Sequence, residues 1–254
     1  MLDIERRSGV VVIKVQHGKV NALDLELLHA ITATIRGAAE EQGVVLTGVG
    51  RAFCAGVDLR RIADGGALYL REFLPALSET FMTIFDYPRP IIAAVNGHAI
   101  AGGCVIAAAC DVRLMSQGTI GLAELAVGVA FPTSALEILR HAVGPFVSRL
   151  VLTGELLDAA RAQSVGLIDF VEAPEAIVDS AVHRARKLAQ VPAEVFTFSK
   201  RQLQRQARER IATLRAEDDA AVVDLWSSTG VQAAISGYLQ SLDQRPGHTQ
   251  GAPV

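Results

Sequence analysis

Two glycine clusters hold the residues whose types and spacing could do chemistry. The first is RAFCAGVDL, residues 51–59, and the second is NGHAIAGGC, residues 96–104. Each directly follows a strand-like run, VVLTG at 44–48 and IIAAV at 91–95. Neither is a P-loop, because no Lys-Ser/Thr follows the glycines. Neither is a dinucleotide fingerprint: Gly48 and Gly50 begin a GxG, but Phe53 stands where the third glycine belongs. A single glycine of this kind merely makes a tight turn. As a pair, two strand-end turns can each present a main-chain N–H to one spot. Two such donors stabilise charge that develops on a carbonyl oxygen. The second turn opens a helix of small residues, whose dipole adds to the effect, and small residues let backbone approach a ligand closely.

The side chains near these turns are less eloquent. Asp58 and Asp111 read as turn-fixing or capping groups rather than bases. Cys54 and Cys104 lack an adjacent His or cation, so they read as small core residues rather than nucleophiles. His98 either lines a pocket or is a satisfied structural histidine. Arg51 and Arg60 are surface cations or ligand contacts.

The elements that must position the turns follow from pattern. Residues 9–15 (GVVVIKV) form a β-rich run. Leu25, Leu28, Ile31 and Ile35 then recur at helical spacing. Strand candidates at 44–48, 91–95 and 112–115 alternate with helical stretches, which indicates an α/β architecture. A helix is expected over 68–87. Residues 194–215 lack Gly and Pro and are rich in Lys, Arg, Gln and Leu; they read as helix, with 200–210 a solvated face. Helix continues through 216–241 with an interruption at Gly230. Two regions are therefore expected, a core at 1–192 and a helical assembly region at 193–254. The polar, Pro/Gly-containing stretch 245–254 is expected to fray. No internal repeat is visible in the sequence.

Composition narrows the class. The chain has 254 residues, half of them apolar, ample for a sizeable core. Lys and Arg number 24 against 27 Asp and Glu, so no basic excess points to nucleic acid. Three cysteines without a CxxC pattern argue against disulfides and structural zinc. The start carries charges among its apolar residues and does not read as a signal peptide. A cytoplasmic protein is expected. Residues 90–110 carry no charge and could span a bilayer by length. Pro90, Asn96, Gly97, His98, Gly102 and Gly103 interrupt the run, so a strand, a turn and a buried helix fit it better.

AFCAGVDL and AAVNGHAIAGGC…CD resemble the two signature segments of the crotonase superfamily, the enoyl-CoA hydratases and isomerases. VNAL at 20–23, GLIDFV at 166–171 and the helix around Lys200 also match, so the resemblance spans nearly the whole chain. It implies a spiral of ββα units with C-terminal helices that build homotrimers or hexamers. It implies an acyl-CoA thioester as substrate, with no metal and no further cofactor. The implied oxyanion donors are the N–H groups of Val57 and Gly102. The hydratases of this superfamily carry two glutamates: Val105 stands at the first position and Glu124 at the second. AGGCVIAAACDVRL and IGLAELAVGVAFP are similar to the 3,2-trans-enoyl-CoA isomerases in particular. One carboxylate can move a proton from C2 to C4, whereas hydration uses two. The resemblance thus implies an isomerase with Glu124 as the acid/base and Val105, Val127 and Val129 excluding water. A hydratase-like enzyme or a non-catalytic acyl-CoA binder are the alternatives. The implied substrate contacts are Asn21, Ala22 and Leu23 at the adenine, Arg51 and Arg60 at the phosphates, and Ala55, Asp58, Leu59 and His98 nearby. Phe196 and Lys200 would close a neighbouring subunit's site.

Overall fold

The computed structural model describes residues 1–244; the tail 245–254, for which fraying is expected, lies outside them. The chain opens with an antiparallel pair, β1 (Leu2–Arg7) and β2 (Val10–Val15). The charged β1 alternates polar and apolar residues at the edge of the sheet. After α1 (Leu25–Gly37), capped by Asp24, a motif repeats. A long strand leads to a short strand in a second sheet and then to a helix. β3 (Gly43–Gly48), β4 (Ala52–Cys54) and α2 (Leu59–Phe85) form one such unit. β5 (Ile91–Val95), β6 (His98–Ile100) and α3 (Gly102–Ala109) form the next. β7 (Val112–Met115), β8 (Ile120–Gly121) and the short α4 (Glu124–Val127) begin the third. The repeat lies in the backbone path and leaves no matching repeat in the sequence. It resolves 90–110 into β5, β6 and α3, and no described helix is long and apolar enough to cross a membrane.

Residues beyond these units wrap the sheets. They are α5 (Thr133–Val143), α6 (Phe146–Thr153), β9 (Leu156–Leu157), α7 (Ala159–Ser164), β10 (Phe170–Val171) and α8 (Ile177–Leu188). The large sheet runs β1-β2-β3-β5-β7-β10 and the small one β4-β6-β8-β9. β2, β3, β5 and β7 are parallel neighbours at the centre of the large sheet. Their near-continuous apolar runs follow from burial on both faces. Val11, Ile13, Leu46 and Ala93 face the main core, whereas Val10, Val12, Val45 and Ile92 face α8. That is the period-two alternation of a strand.

α9 (Ala193–Ser227) and α10 (Thr229–Asp243) complete the described chain. Ala207, Val222, Trp226 and Ile235 enter the same core as the sheet. The break between the two helices falls at Ser228, which caps α10, and not at Gly230, which lies within its first turn. The helix expected over 68–87 starts earlier and ends sooner. Asp58 caps it, it breaks at Gly66 (φ 58°, ψ −153°), and it stops at Phe85. The run 200–210 is not wholly solvated. Lys200, Gln204 and Ala207 are buried along one stripe at spacings of four and three.

Candidate active site

β4, β6 and β8 lie side by side and parallel, with Cys54 opposite Ala99 and Ile100 opposite Gly121. The turns that leave their ends are therefore neighbours. The first turn is pinned by the segment before α1. Leu23 donates its N–H to the Gly56 carbonyl (2.8 Å) and accepts from the Asp58 N–H (2.9 Å). Leu23 thus bridges to Val57 in parallel fashion, and the middle residue of such a bridge turns its own N–H away from its partner. In the second turn Ala101 has φ 54° and ψ −123°, a strained conformation for a residue with a side chain. Gly102 follows as the first residue of α3, so its N–H has no acceptor within the helix. Among the described residues neither N–H meets an acceptor. The turns touch: a Cβ placed on Gly56 would lie 2.8 Å from the Ala101 Cβ and 3.5 Å from the Gly102 nitrogen.

The third turn, after β8, delivers Glu124 at the start of α4. Glu124 borders a cavity of about 730 Å³ together with Ala55, Val57, Ile100 and Ala101. Part of the residue meets solvent, but its Oε2 is fully buried and makes no hydrogen bond. Burial pushes the carboxyl from an ordinary 4.5 up to about 8, against a smaller opposing effect of the Glu124 and Ala123 N–H groups. The other carboxylate on the wall, Asp58, is committed to the start of α2, where it accepts from the Arg60 N–H (3.0 Å) and the Arg61 N–H (3.1 Å). Val127 and Val129 supply apolar wall beside Glu124, and Tyr238, Leu239 and Leu242 of α10 face them. This arrangement puts one poorly solvated carboxyl in a largely apolar cavity, next to two turns whose Val57 and Gly102 N–H groups have no acceptor among the described residues.

A family profile described as enoyl-CoA hydratase/isomerase matches residues 5–246. The chain belongs to the enoyl-CoA hydratase/isomerase family. Among its relatives, human mitochondrial enoyl-CoA delta isomerase 1 is 26% identical over 97% of this chain and 84% of that protein. A short-chain-enoyl-CoA hydratase of Clostridium acetobutylicum is 27% identical over 93% of this chain and 94% of that one. The crystal structure of human mitochondrial delta3-delta2-enoyl-CoA isomerase superposes with a TM-score of 0.91 at 25% identity, covering 97% of this chain and 99% of that one. The ββα units and the C-terminal helices are thus those of the crotonase fold.

Within this family member the implied site residues divide. Ala22, Ala55, Val57, Asp58, Leu59, Arg60 and Glu124 border the cavity. Gly102, next in the chain to the wall residue Ala101, is buried and does not itself border the cavity. Asn21 and Leu23 are buried supports instead. The main-chain groups of Leu23 are taken by the first turn, and Asn21 (φ 55°) donates to the Ala52 carbonyl at 2.9 Å. Val105 lies one turn inside α3, in the core and off the wall. Arg51 and His98 are exposed away from the cavity, and His98 Nδ1 lies 3.0 Å from Thr119 Oγ1. His17, Lys19 and the α10 residues escaped the sequence reading. Tyr238 and Leu242 share a helix face at spacing four.

Phe196 and Lys200 border a different cavity, of about 340 Å³. Lys200 Nζ lies 2.7 Å from Asp111 Oδ1 and donates to the Tyr87 carbonyl at 2.8 Å. Asp111 Oδ2 accepts from the Ile91 N–H (2.9 Å). Burial pushes the Asp111 carboxyl up and the Lys200 ammonium pulls it back. Within this chain Lys200 therefore ties α9 to the end of α3. Lys200→Met leaves a buried carboxylate without its partner and is expected to cost about 3 kcal/mol. Urea denaturation measures this, and an unchanged midpoint would show that the pair contributes nothing.

Proposed function

We propose that the protein is an enoyl-CoA isomerase that shifts a 3-enoyl-CoA double bond to the 2 position. The observation that carries this reading is the buried, unpartnered Oε2 of Glu124 on the same cavity as the turn of Val57, with the Val57 and Gly102 N–H groups free of acceptors among the described residues. The Glu124 carboxylate takes a proton from C2 of the thioester. The electron pair moves onto the thioester oxygen, giving a dienolate, and the N–H groups of Val57 and Gly102 hold that oxygen. Glu124 returns the proton at C4, the 2,3 double bond forms and the carboxylate is regenerated. A carboxyl near 8 suits a base that must also give the proton back near neutral pH. Val127 and Val129 keep water from the dienolate. Lys19 and Arg60 border the cavity and would meet the CoA phosphates. Val195, Phe198 and Leu203 are exposed apolar side chains on α9, which supports assembly into a homotrimer or hexamer.

A panel of 3-enoyl and 2-enoyl CoA substrates, followed by the absorbance of the conjugated thioester, tests the reading. The expected result is a gain of absorbance with 3-enoyl-CoA that outpaces any loss with crotonyl-CoA. Faster loss with crotonyl-CoA would identify a hydratase, the activity named for the Clostridium relative. Binding without either change would identify a non-catalytic acyl-CoA binder.

A further inference from the structure

We infer that Trp226 is a positioning residue for Glu124, holding the turn that carries it through the Ala130 carbonyl. This inference rests on Glu124 as the acid/base. Trp226 sits near the end of α9, buried to 2% exposure, and its indole Nε1–H donates to the Ala130 carbonyl at 2.9 Å. A buried indole keeps such a partner because its N–H has no water to turn to. From Ala130 the chain runs back over one tight turn to Glu124. The N–H groups of Gly128 (2.9 Å) and Val129 (3.0 Å) both donate to the Glu124 carbonyl. Gly128, at φ 90°, lies under α10: a Cβ there would come within 2.9 Å of the Ala234 Cβ. Two C-terminal contacts thus clamp the far side of this turn. Gln232 Nε2 in turn donates to the Trp226 carbonyl (2.7 Å), which fixes the α9–α10 corner. α4 itself is only four residues long and has no side-chain cap, so these outside contacts add to the few backbone bonds that the turn makes within itself. Freed from them, the carboxyl would tilt toward water, lose its burial and leave the substrate's C2.

The chain has one tryptophan, so its emission reports on this contact without any label. The other titratable groups on the cavity wall are His17, Lys19, Asp58, Arg60 and Tyr238, with Cys104 buried behind Glu124. Comparison with Glu124→Gln separates Glu124 from all of these. In the wild type, tryptophan emission is expected to titrate as the Glu124 carboxyl ionises, and in Glu124→Gln that step is expected to vanish. Trp226→Phe keeps most of the ring volume and removes the donor. Its kcat for 3-enoyl-CoA is expected to fall about tenfold with KM changed less than about twofold, and the midpoint of its pH–rate profile to move down by about one unit as water reaches the carboxyl. Identical emission titrations in wild type and Glu124→Gln would overturn the inference, as would a Trp226→Phe enzyme with unchanged kcat and midpoint. If that variant does not fold, the emission titration decides alone. If the wild type does not isomerise 3-enoyl-CoA, the functional reading fails, and the emission titration still decides whether the indole senses Glu124.

Discussion

Glu124→Gln is expected to bind acyl-CoA as the wild type does and to lose roughly 10²- to 10⁴-fold in turnover, the range for removal of a positioned acid/base. The amide has nearly the same shape, so the cavity and both main-chain donors stay in place. What disappears is the ability to accept a proton at C2 and release it at C4. An unchanged rate would remove Glu124 from the mechanism. The pH dependence follows from its burial. In the free enzyme the carboxyl ionises near 8, so kcat/KM should climb from pH 6 toward pH 9 as the carboxylate form becomes populated. Stability should move the other way. Between about 4.5 and 8 the folded chain holds a proton that the unfolded chain has released. Stability therefore falls as pH rises through that window and is lowest above it. Glu124→Gln removes this slope, so the variant should match the wild type near pH 4.5 and exceed it at pH 9 by on the order of a few kcal/mol. Urea midpoints at the two pH values measure the difference. A variant no more stable than the wild type at pH 9 would mean that the carboxyl is well solvated.

Gly103→Ala is expected to break the site from the back. Gly103 is the second residue of α3, and a Cβ there would lie 2.1 Å from the Cys54 carbonyl oxygen and 2.8 Å from its carbon. Both are backbone atoms of β4, so no side chain can swing aside. Either α3 or β4 must move, and these two elements bear the turns that hold Gly102 and Val57. A stability loss of about 3 kcal/mol is expected from forced overpacking, together with about a hundredfold loss of turnover from misplaced donors. Gly237→Ala is the control. Nothing lies within 4 Å of its added Cβ, and it sits within α10. It should raise stability by roughly 0.5–1 kcal/mol through helix propensity. Thermal melting and the 3-enoyl assay distinguish the pair, and equal behaviour of both variants would show that the α3–β4 contact is soft.

The turns were legible in the sequence because glycine at a close backbone approach is a local requirement. AFCAG and AIAGGC each announce one without help from the rest of the chain. The buried strands were legible for the same reason, since VVVIKV and IIAAV admit few other readings. Contacts between distant segments were not. Nothing around Lys200 marks it as the partner of Asp111, because an ion pair across 89 residues leaves no periodic trace. A lysine within KRQLQRQARER looks like its solvated neighbours until α9 is laid against the end of α3. Val105 illustrates the opposite limit. Family correspondence put it beside the substrate, but packing of α3 turns its side chain into the core. The α10 wall was missed because a helix facing a cavity has the same apolar stripe as a helix facing a core.

α10 gives the cavity Tyr238, Leu239 and Leu242, and a ribosome makes these after every other wall residue. Until they emerge, the nascent chain displays an open greasy trough flanked by Val127 and Val129. On the ribosome the trough therefore lacks this wall until α10 has emerged. A chain ending at Ser228 would lack this wall altogether.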